Sequence, residues 1–298
     1  PWFIEGMIDS YAASGITPDR IHLSETWNLG NWGPMGYSDM AARAGVRMNE
    51  TQEIKVHELP PEQVQWIDVP DGGWFRRIPY IAPVNAPGSW LVNVAKFKAH
   101  GMGLTLCCKN LQGTICHDYQ LLCSEPAGDP AHFNPRREAD IEESYARHGA
   151  DGIPRWDKAK DGLRMEKWVA RTLDNLLATP AVLHVIEGVY GRDGDGFIYG
   201  PNPAGNDNNP KGQAWDYMTN LVIFGKDPFR VDIVGHWLGG HEPGNLGLFH
   251  LAVERGMSDV IDPMDIPVYE WRGGKAVLAE LTSFERHPLK TRYIQRND

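Results

Sequence analysis

Apolar residues recur along the chain at two spacings, one typical of helices and one typical of strands. Apolar positions three or four apart predict helices at residues 2–12, 39–44, 138–147, 163–177, 228–238 and 245–255. Alternating or short continuous apolar runs predict strands at residues 20–24, 52–59, 64–69, 74–81, 89–94, 181–186 and 221–224. The pattern therefore predicts both helices and strands in each half of the chain.

The order of these elements is typical of an α/β protein. We predict a mixed, largely parallel sheet flanked by helices, with a long glycine-rich loop at 188–212 and a C-terminal hairpin around Arg272-Gly273-Gly274. The sequence contains no internal repeat. We expect a single domain over residues 1–298, subdivided into a first half (1–123), a surface insertion (124–161) and a second half (162–298).

The composition of the chain limits the kinds of molecule that we expect the protein to bind. The formal net charge is −10 and no cluster of Lys and Arg matches a phosphate backbone, which argues against nucleic acid. No apolar run reaches the roughly 18 residues of a membrane span, so we expect a soluble protein. The chain begins at Pro1 inside a predicted helix, and we expect that a preceding segment is missing. Eleven Trp and 22 Pro slightly favour an extracytoplasmic location, whereas the oligomeric state is left open.

The most unusual stretch of the chain runs from Asn93 to Gly113. Lys96 and Lys98 lie on one side of an extended segment that ends at His100, and Lys109 follows in a short predicted helix. Several cations beside a glycine-lined backbone attract a carboxylate or phosphate, and a desolvated lysine can act as a base or Schiff-base nucleophile. The alternative is that these lysines are surface residues and the histidine is structural.

Four cysteines, Cys107, Cys108, Cys116 and Cys123, fall within 17 positions. No C-x-x-C pair occurs, so the usual zinc-ribbon and ferredoxin signatures are absent. Buried thiols are the first interpretation, and disulfides or metal ligation are the alternatives.

A second cluster of titratable residues lies in the predicted helix at 228–238. Asp232 and His236 are four positions apart and share one face of that helix. A carboxylate beside an imidazole can orient a metal ligand or strengthen a base, and His241 follows just beyond the helix. A divalent-metal site is one hypothesis for this cluster. The other is a surface ion pair, with Asp227 capping the helix.

The stretch VNVAKFKAHGMGLTLCCKNLQG resembles the signature of the domain-of-unknown-function family 362, a phrase close to vNvpKlKtHgltgvTlalKNlfG. Two later blocks, VLHVIEGVYGRDGDGFIYGP and IFGKDPFRVDIVGHWLGG, are also similar to that family, so the likeness covers residues 1 to about 270. It implies that the family marks Lys98, His100, Lys109, Asn110, Glu187, Asp227 and Asp232.

This resemblance implies an α/β protein but no activity. Many relatives add a cysteine-rich ferredoxin-like module, which this chain does not contain, and the family more usually has Asp where Glu187 stands. An iron–sulfur role is therefore doubtful on the resemblance itself.

Three hypotheses for function follow. The first is an enzyme acting on a small anionic or polyhydroxylated substrate, with catalytic residues His100, Lys98, Lys109 and Asp232. Its substrate-binding residues would be Lys96, Asn110, Glu187 and Asp195, and a divalent metal would bind to His236, Asp232 and His241. The second is a metal-linked or iron–sulfur-linked redox protein using the cysteine group at 107–123, with Cys107, Cys108 and Cys116 as metal ligands and Cys123 as the fourth member of the group. The third is a non-catalytic anion-binding or assembly module.

Overall fold

The structure, a computed structural model, describes residues 1–25, 32–50, 54–100, 103–120, 128–152, 159–193 and 215–289. The helices are α1 (Trp2–Ala13), α2 (Tyr37–Ala44), α3 (Cys107–Asn110), α4 (Arg137–Ala150), α5 (Ala159–Ala178), α6 (Pro228–Leu238) and α7 (Gly247–Glu254). The strands are β1 (His22–Glu25), β2 (Arg47–Glu50), β3 (Val64–Asp68), β4 (Arg77–Ile81), β5 (Val92–His100), β6 (Gly103–Thr105), β7 (Leu183–Asp193), β8 (Trp215–Gly225), β9 (Val268–Arg272) and β10 (Lys275–Ala279).

Four strands form the central sheet in the order β6-β5-β7-β8. β5 runs parallel to β7, whereas β6 and β8 run antiparallel to their neighbours. The mixed α/β fold is therefore confirmed, but a largely parallel sheet is not. Only two residues separate β5 from β6, and so short a connection produces an antiparallel pair, since parallel neighbours need a long crossover.

Alternation along β5 gives this sheet two different faces. Asn93, Ala95, Phe97 and Ala99 are buried, and the residues between them are partly exposed. The buried face packs against α5, α6 and α7 to form the larger core, to which Met165, Leu173, Ile186, Ile233 and Phe249 contribute. We call the opposite side the open face; it carries Lys96, Lys98 and His100 of β5.

A smaller core lies beside the β3–β4 hairpin. It contains Trp74, Phe75, Tyr80, Phe133 and Ile141. Phe133 and Ile141 belong to the segment predicted as a surface insertion, and they show that part of this segment is buried. Trp74 also lies beneath the guanidinium of Arg171, whose Cζ is 3.8 Å from the ring centroid.

The two cores are joined by the carboxylate of Asp174 on α5. This side chain is fully buried and accepts hydrogen bonds from the backbone N–H groups of Gly73, Trp74 and Phe75 at 2.9, 2.7 and 2.9 Å. Arg255, just beyond α7, donates to it from Nη2 at 2.7 Å. The amide groups of this turn before β4 have no partner in a sheet. One acidic side chain therefore holds the turn in place by accepting their hydrogen bonds.

The glycine-rich loop prediction was wrong for residues 188–193, which continue β7; residues 194–214 lie outside the described residues. A Cβ added at Gly188 would lie 3.0 Å from the Cβ of Phe97, and one at Gly191 would lie 2.8 Å from Cγ2 of Thr219. These glycines permit close approach of neighbouring side chains within the sheet, which is a second reason for glycine in a strand.

Two other predictions for local structure have clear outcomes. The strand expected over 52–59 is a 3-10 turn at Val56–Glu58, because Glu58 accepts a hydrogen bond from the amide of Lys55 at 2.8 Å and Pro60 follows directly. Residues 51–53 lie outside the described part of the chain. The C-terminal hairpin is confirmed as β9 and β10.

The N-cap prediction for α6 is also confirmed. Oδ1 of Asp227 accepts hydrogen bonds from the amides of Phe229 and Arg230 at 2.8 and 3.2 Å. No described helix has both the length and the apolar character needed to cross a bilayer.

We predict that Asp174→Ala destabilises the protein by about 3 kcal/mol, because two buried amides, one partly buried amide and an arginine lose their acceptor together. The matched control is Asp259→Ala, which removes an exposed carboxylate paired with Arg230 and should change stability by less than about 0.5 kcal/mol. Urea unfolding followed by tryptophan fluorescence measures both changes. Equal midpoints for the two variants would contradict the structural role assigned to Asp174.

Candidate functional site

The candidate site lies where β5 ends on the open face and the chain turns through β6 into α3. Strand alternation places Lys96, Lys98 and His100 on one side of β5. Thr105 of β6 lies opposite Lys98 in the antiparallel register, and Lys109 follows in α3. The structure thus brings the predicted basic residues together at one end of the sheet.

Hydrogen bonds orient the lysines of β5. Nζ of Lys96 is 2.5 Å from Oε2 of Glu187, which is its register partner on β7, and Oε1 of Glu187 accepts from the amide of Val189 at 2.9 Å. Nζ of Lys98 donates to Oγ1 of Thr105 at 3.1 Å. Lys96 and Glu187 therefore compensate each other's charge, while Lys98 is directed toward β6 and α3.

The electrostatic environment of His100 is dominated by burial and by two cations. Burial lowers the pKa of His100, and the positive charges of Lys109 and then Lys98 lower it further, to about 2. The imidazole is therefore neutral throughout the physiological range, with one nitrogen able to donate and the other able to accept a hydrogen bond.

The position of α3 is fixed by amide side chains at both of its ends. Nδ2 of Asn93 donates to the carbonyl of Cys107 at 2.8 Å, and Nδ2 of Asn110 donates to Oδ1 of Asn93 at 2.8 Å. Asn110 also reaches the carbonyl of Val94 at 3.2 Å. Asn110, predicted to bind substrate, thus holds α3 against β5.

Asp232 anchors the other side of α3. Its two carboxylate oxygens accept from the backbone amides of Cys107 and Cys108 at 2.7 and 2.8 Å. Burial raises the pKa of Asp232 to about 7, although these hydrogen bonds act in the opposite direction. The residue predicted to partner His100 or a metal therefore fixes the first turn of α3, and through it the backbone that carries Lys109.

The two imidazoles predicted as metal ligands, those of His236 and His241, are hydrogen-bonded to backbone carbonyls. Nδ1 of His236 faces the backbone carbonyl of Asp232 at 2.8 Å, not its carboxylate, and burial lowers the pKa of His236 to about 3. Nε2 of His241 is hydrogen-bonded to the carbonyl of Leu289. Within the described residues there is no group of three His, Cys, Asp or Glu side chains able to hold a metal ion. Metal binding by His236, Asp232 and His241 stays a prediction.

The cysteines are buried and free at the three described positions, Cys107, Cys108 and Cys116. Burial raises the pKa of all three thiols, to about 12 for Cys116. Thiols in such surroundings are poor nucleophiles and poor metal ligands, because both roles require the thiolate. Cys123 and Asp195 lie outside the described residues.

Three residues of the site were not singled out from the sequence. Asn93 and Thr105 belong to the unusual stretch, but their roles depend on contacts across strands. Arg192 on β7 is the register partner of Lys98 on β5, and its Nη1 is 3.3 Å from Oδ2 of Asp216 on β8. The sequence offered no signal for it, because Arg192 lies in the segment predicted as a glycine-rich loop.

These features define a mixed α/β protein with a basic site at the junction of a strand and a short helix. The family model described as domain of unknown function (DUF362) matches residues 28–236, and the chain belongs to that family. No curated protein and no solved structure matches the chain.

We predict that Asp232 makes stability depend on pH in the range between its ordinary pKa of 3.8 and the raised value of about 7. The folded state binds the proton of Asp232 more tightly than the unfolded state does. The stabilisation that this proton gives is therefore fully present below pH 3.8 and is lost as the pH rises through about 7. Asp232→Asn should remove that part of the slope. Melting temperatures between pH 4 and 8 test this, and identical slopes in both proteins would refute it.

We predict that the three described cysteines do not react with a thiol reagent in the folded protein. The experiment uses the Cys123→Ser variant, so that only Cys107, Cys108 and Cys116 can be labelled. Native protein should take up no label within minutes, whereas protein in urea should take up three labels, as counted by mass spectrometry. Fast labelling of any one of them would show an accessible thiolate and favour the redox hypothesis.

Proposed function

We propose that this protein is an enzyme acting on a small anionic substrate, which it binds through Lys98 and Lys109 and to which His100 transfers a proton. The observation that carries the proposal is the placement of Lys98 and His100 on one side of β5, beside the short helix that carries Lys109, so that both lysine charges act on one imidazole. A carboxylate or phosphate is the chemical group that such a site attracts.

Binding of the anion would change the chemistry of His100. In the free protein burial and the two cations hold the pKa of this imidazole at about 2, which makes it a very weak base. A bound anion offsets the charges of Lys109 and Lys98 and accepts a hydrogen bond from the protonated ring. The pKa of His100 then rises toward the range in which general acid–base catalysis is efficient. Proton transfer is thereby coupled to the presence of substrate.

The surroundings of the site support a substrate that also carries hydroxyl groups. Glu187 lies beside Lys96 on the open face and presents an acceptor for a hydroxyl hydrogen. Lys96 and Glu187 neutralise each other, so they add hydrogen-bonding capacity without changing the net charge of the site. This arrangement suits a polyhydroxylated anion such as a sugar acid or sugar phosphate.

We predict that sulfate, which keeps its charge over the physiological range, raises the pKa of His100. Without sulfate the ring protons of His100 should not titrate between pH 5 and 8, and with saturating sulfate they should begin to do so, as measured by NMR. His100→Gln identifies the signal. Lys98→Gln should weaken sulfate binding at least about tenfold, because it removes one of the two charges.

The matched control is Lys275→Gln, which removes an exposed lysine on β10 and should leave sulfate affinity unchanged. Equal weakening by both substitutions would mean that sulfate responds only to overall charge, and the proposed site would be wrong. Catalysis is tested separately by incubating a panel of sugar acids and sugar phosphates in D2O. Deuterium uptake that is lost in His100→Gln supports an enzyme, whereas sulfate binding without any uptake favours a non-catalytic anion-binding module.

A further inference from the structure

The open face extends from the basic site toward β8, which is the last strand of this sheet among the described residues. Lys96, Glu187 and Val222 are register partners on β5, β7 and β8, so their side chains lie in one row across this face. Val185 and Phe224 form part of the neighbouring row. Two strand spacings, about 10 Å, therefore separate the backbone of Lys96 from that of Val222.

Tyr190 and Met218 belong to the same face. They are register partners on β7 and β8, and the adjacent Gly191 lies against Phe97 and Thr219 on the buried side. Because neighbouring residues of a strand point to opposite sides, Tyr190 and Arg192 point toward the open face. The row formed by Lys98, Arg192 and Asp216 completes the basic end of this surface.

The apolar residues of this edge are unusually exposed. Tyr190, Met218, Val222 and Phe224 are 48, 64, 43 and 58% exposed. Single exposed apolar side chains are common, but four neighbours on one side of a sheet edge form a continuous patch, and such patches mark binding surfaces. Here the patch is continuous with a cluster of cations. The combination is complementary to a molecule that carries an anionic group at one end and an apolar chain at the other.

We propose that the substrate is an amphiphilic anion whose charged group binds at Lys98, His100 and Lys109, whose hydroxyl groups lie beside Glu187, and whose apolar chain continues across β7 to lie on Val222 and Phe224. The inference rests on the proposed anion site and adds the class of substrate. A second copy of the chain pairing along β8 is a weaker interpretation, since Asn220 interrupts this strand with a φ of 52° and such irregularities hinder edge-to-edge pairing.

The inference is tested with methyl, butyl and octyl phosphate at pH 7.5, each kept below its micelle concentration. Calorimetry should show affinity rising with chain length by roughly twofold per methylene, about half the logarithmic gain of a fully buried methylene. Octyl phosphate, with four more methylenes, should then bind roughly 16-fold more tightly than butyl phosphate. The double substitution Val222→Thr with Phe224→Ser should remove this gain and leave methyl phosphate affinity unchanged.

The matched control is Leu278→Ser, which alters an equally exposed apolar residue on β10, away from the basic site. It should preserve the dependence on chain length. Dependence that persists in the double variant, or that is lost in the Leu278 variant, overturns the inference. Methyl phosphate binding without any gain from longer chains overturns it while leaving the proposed function intact, whereas failure of all three phosphates to bind defeats both.

A membrane lipid headgroup would present the same chemistry as a free amphiphile. Sedimentation with phosphatidylglycerol vesicles separates the two sources. The inference expects no vesicle binding and tight binding of free octyl phosphate. Vesicle binding that requires Phe224, without binding of the free compound, would assign this face to a lipid surface and overturn the proposal of a free substrate.

Discussion

The carboxylate of Asp232 is the contact on which the geometry of the site depends. It accepts from the two backbone amides that begin α3, and it does so from a fully buried position on α6. A helix of four residues is too short to hold its own position, because nearly all its backbone groups lack partners within the helix. Asp232 on one side and Asn93 on the other supply those partners, and Lys109 is thereby brought near His100.

The same physical solution occurs in the smaller core. Asp174 on α5 holds the amides of Gly73, Trp74 and Phe75 as Asp232 holds those of Cys107 and Cys108. Both carboxylates are buried, and their cost of burial is offset by charge-assisted hydrogen bonds to backbone groups. In both places an acidic side chain on a helix accepts hydrogen bonds from backbone amides that have no partner in a helix or sheet.

The open face combines the two features from which the proposed substrate is inferred. Its basic end is set by β5, β6 and α3, and its apolar edge is set by β8. The two ends share one face because β7 pairs with both β5 and β8 and places Glu187 between Lys96 and Val222. A surface with cations at one end and apolar groups at the other follows from the register of three strands, and the proposed amphiphilic substrate is inferred from that asymmetry.

Local patterns in the sequence determined much of this protein. Alternation along β5 was sufficient to place Lys96, Lys98 and His100 on one side, and Asp227 followed by Pro228 was sufficient to begin α6, because both depend on neighbouring residues alone. The family was also recognisable from residues 92–113. Sequence spacing put Asp232 and His236 on one helix face, but it could not show that Asp232 is buried against α3 and His236 against Phe249 of α7.

Only the tertiary structure decided what these residues touch. The pairing of Lys98 with Thr105, the use of Asp232 as an anchor and the role of Gly188 and Gly191 beside Phe97 all join segments that are separated along the chain. The antiparallel pairing of β6 with β5 was likewise set by the short connection between them and not by strand composition. Sequence periodicity reports which side of an element is apolar, whereas long-range register and burial determine which charges meet and what their pKa values become.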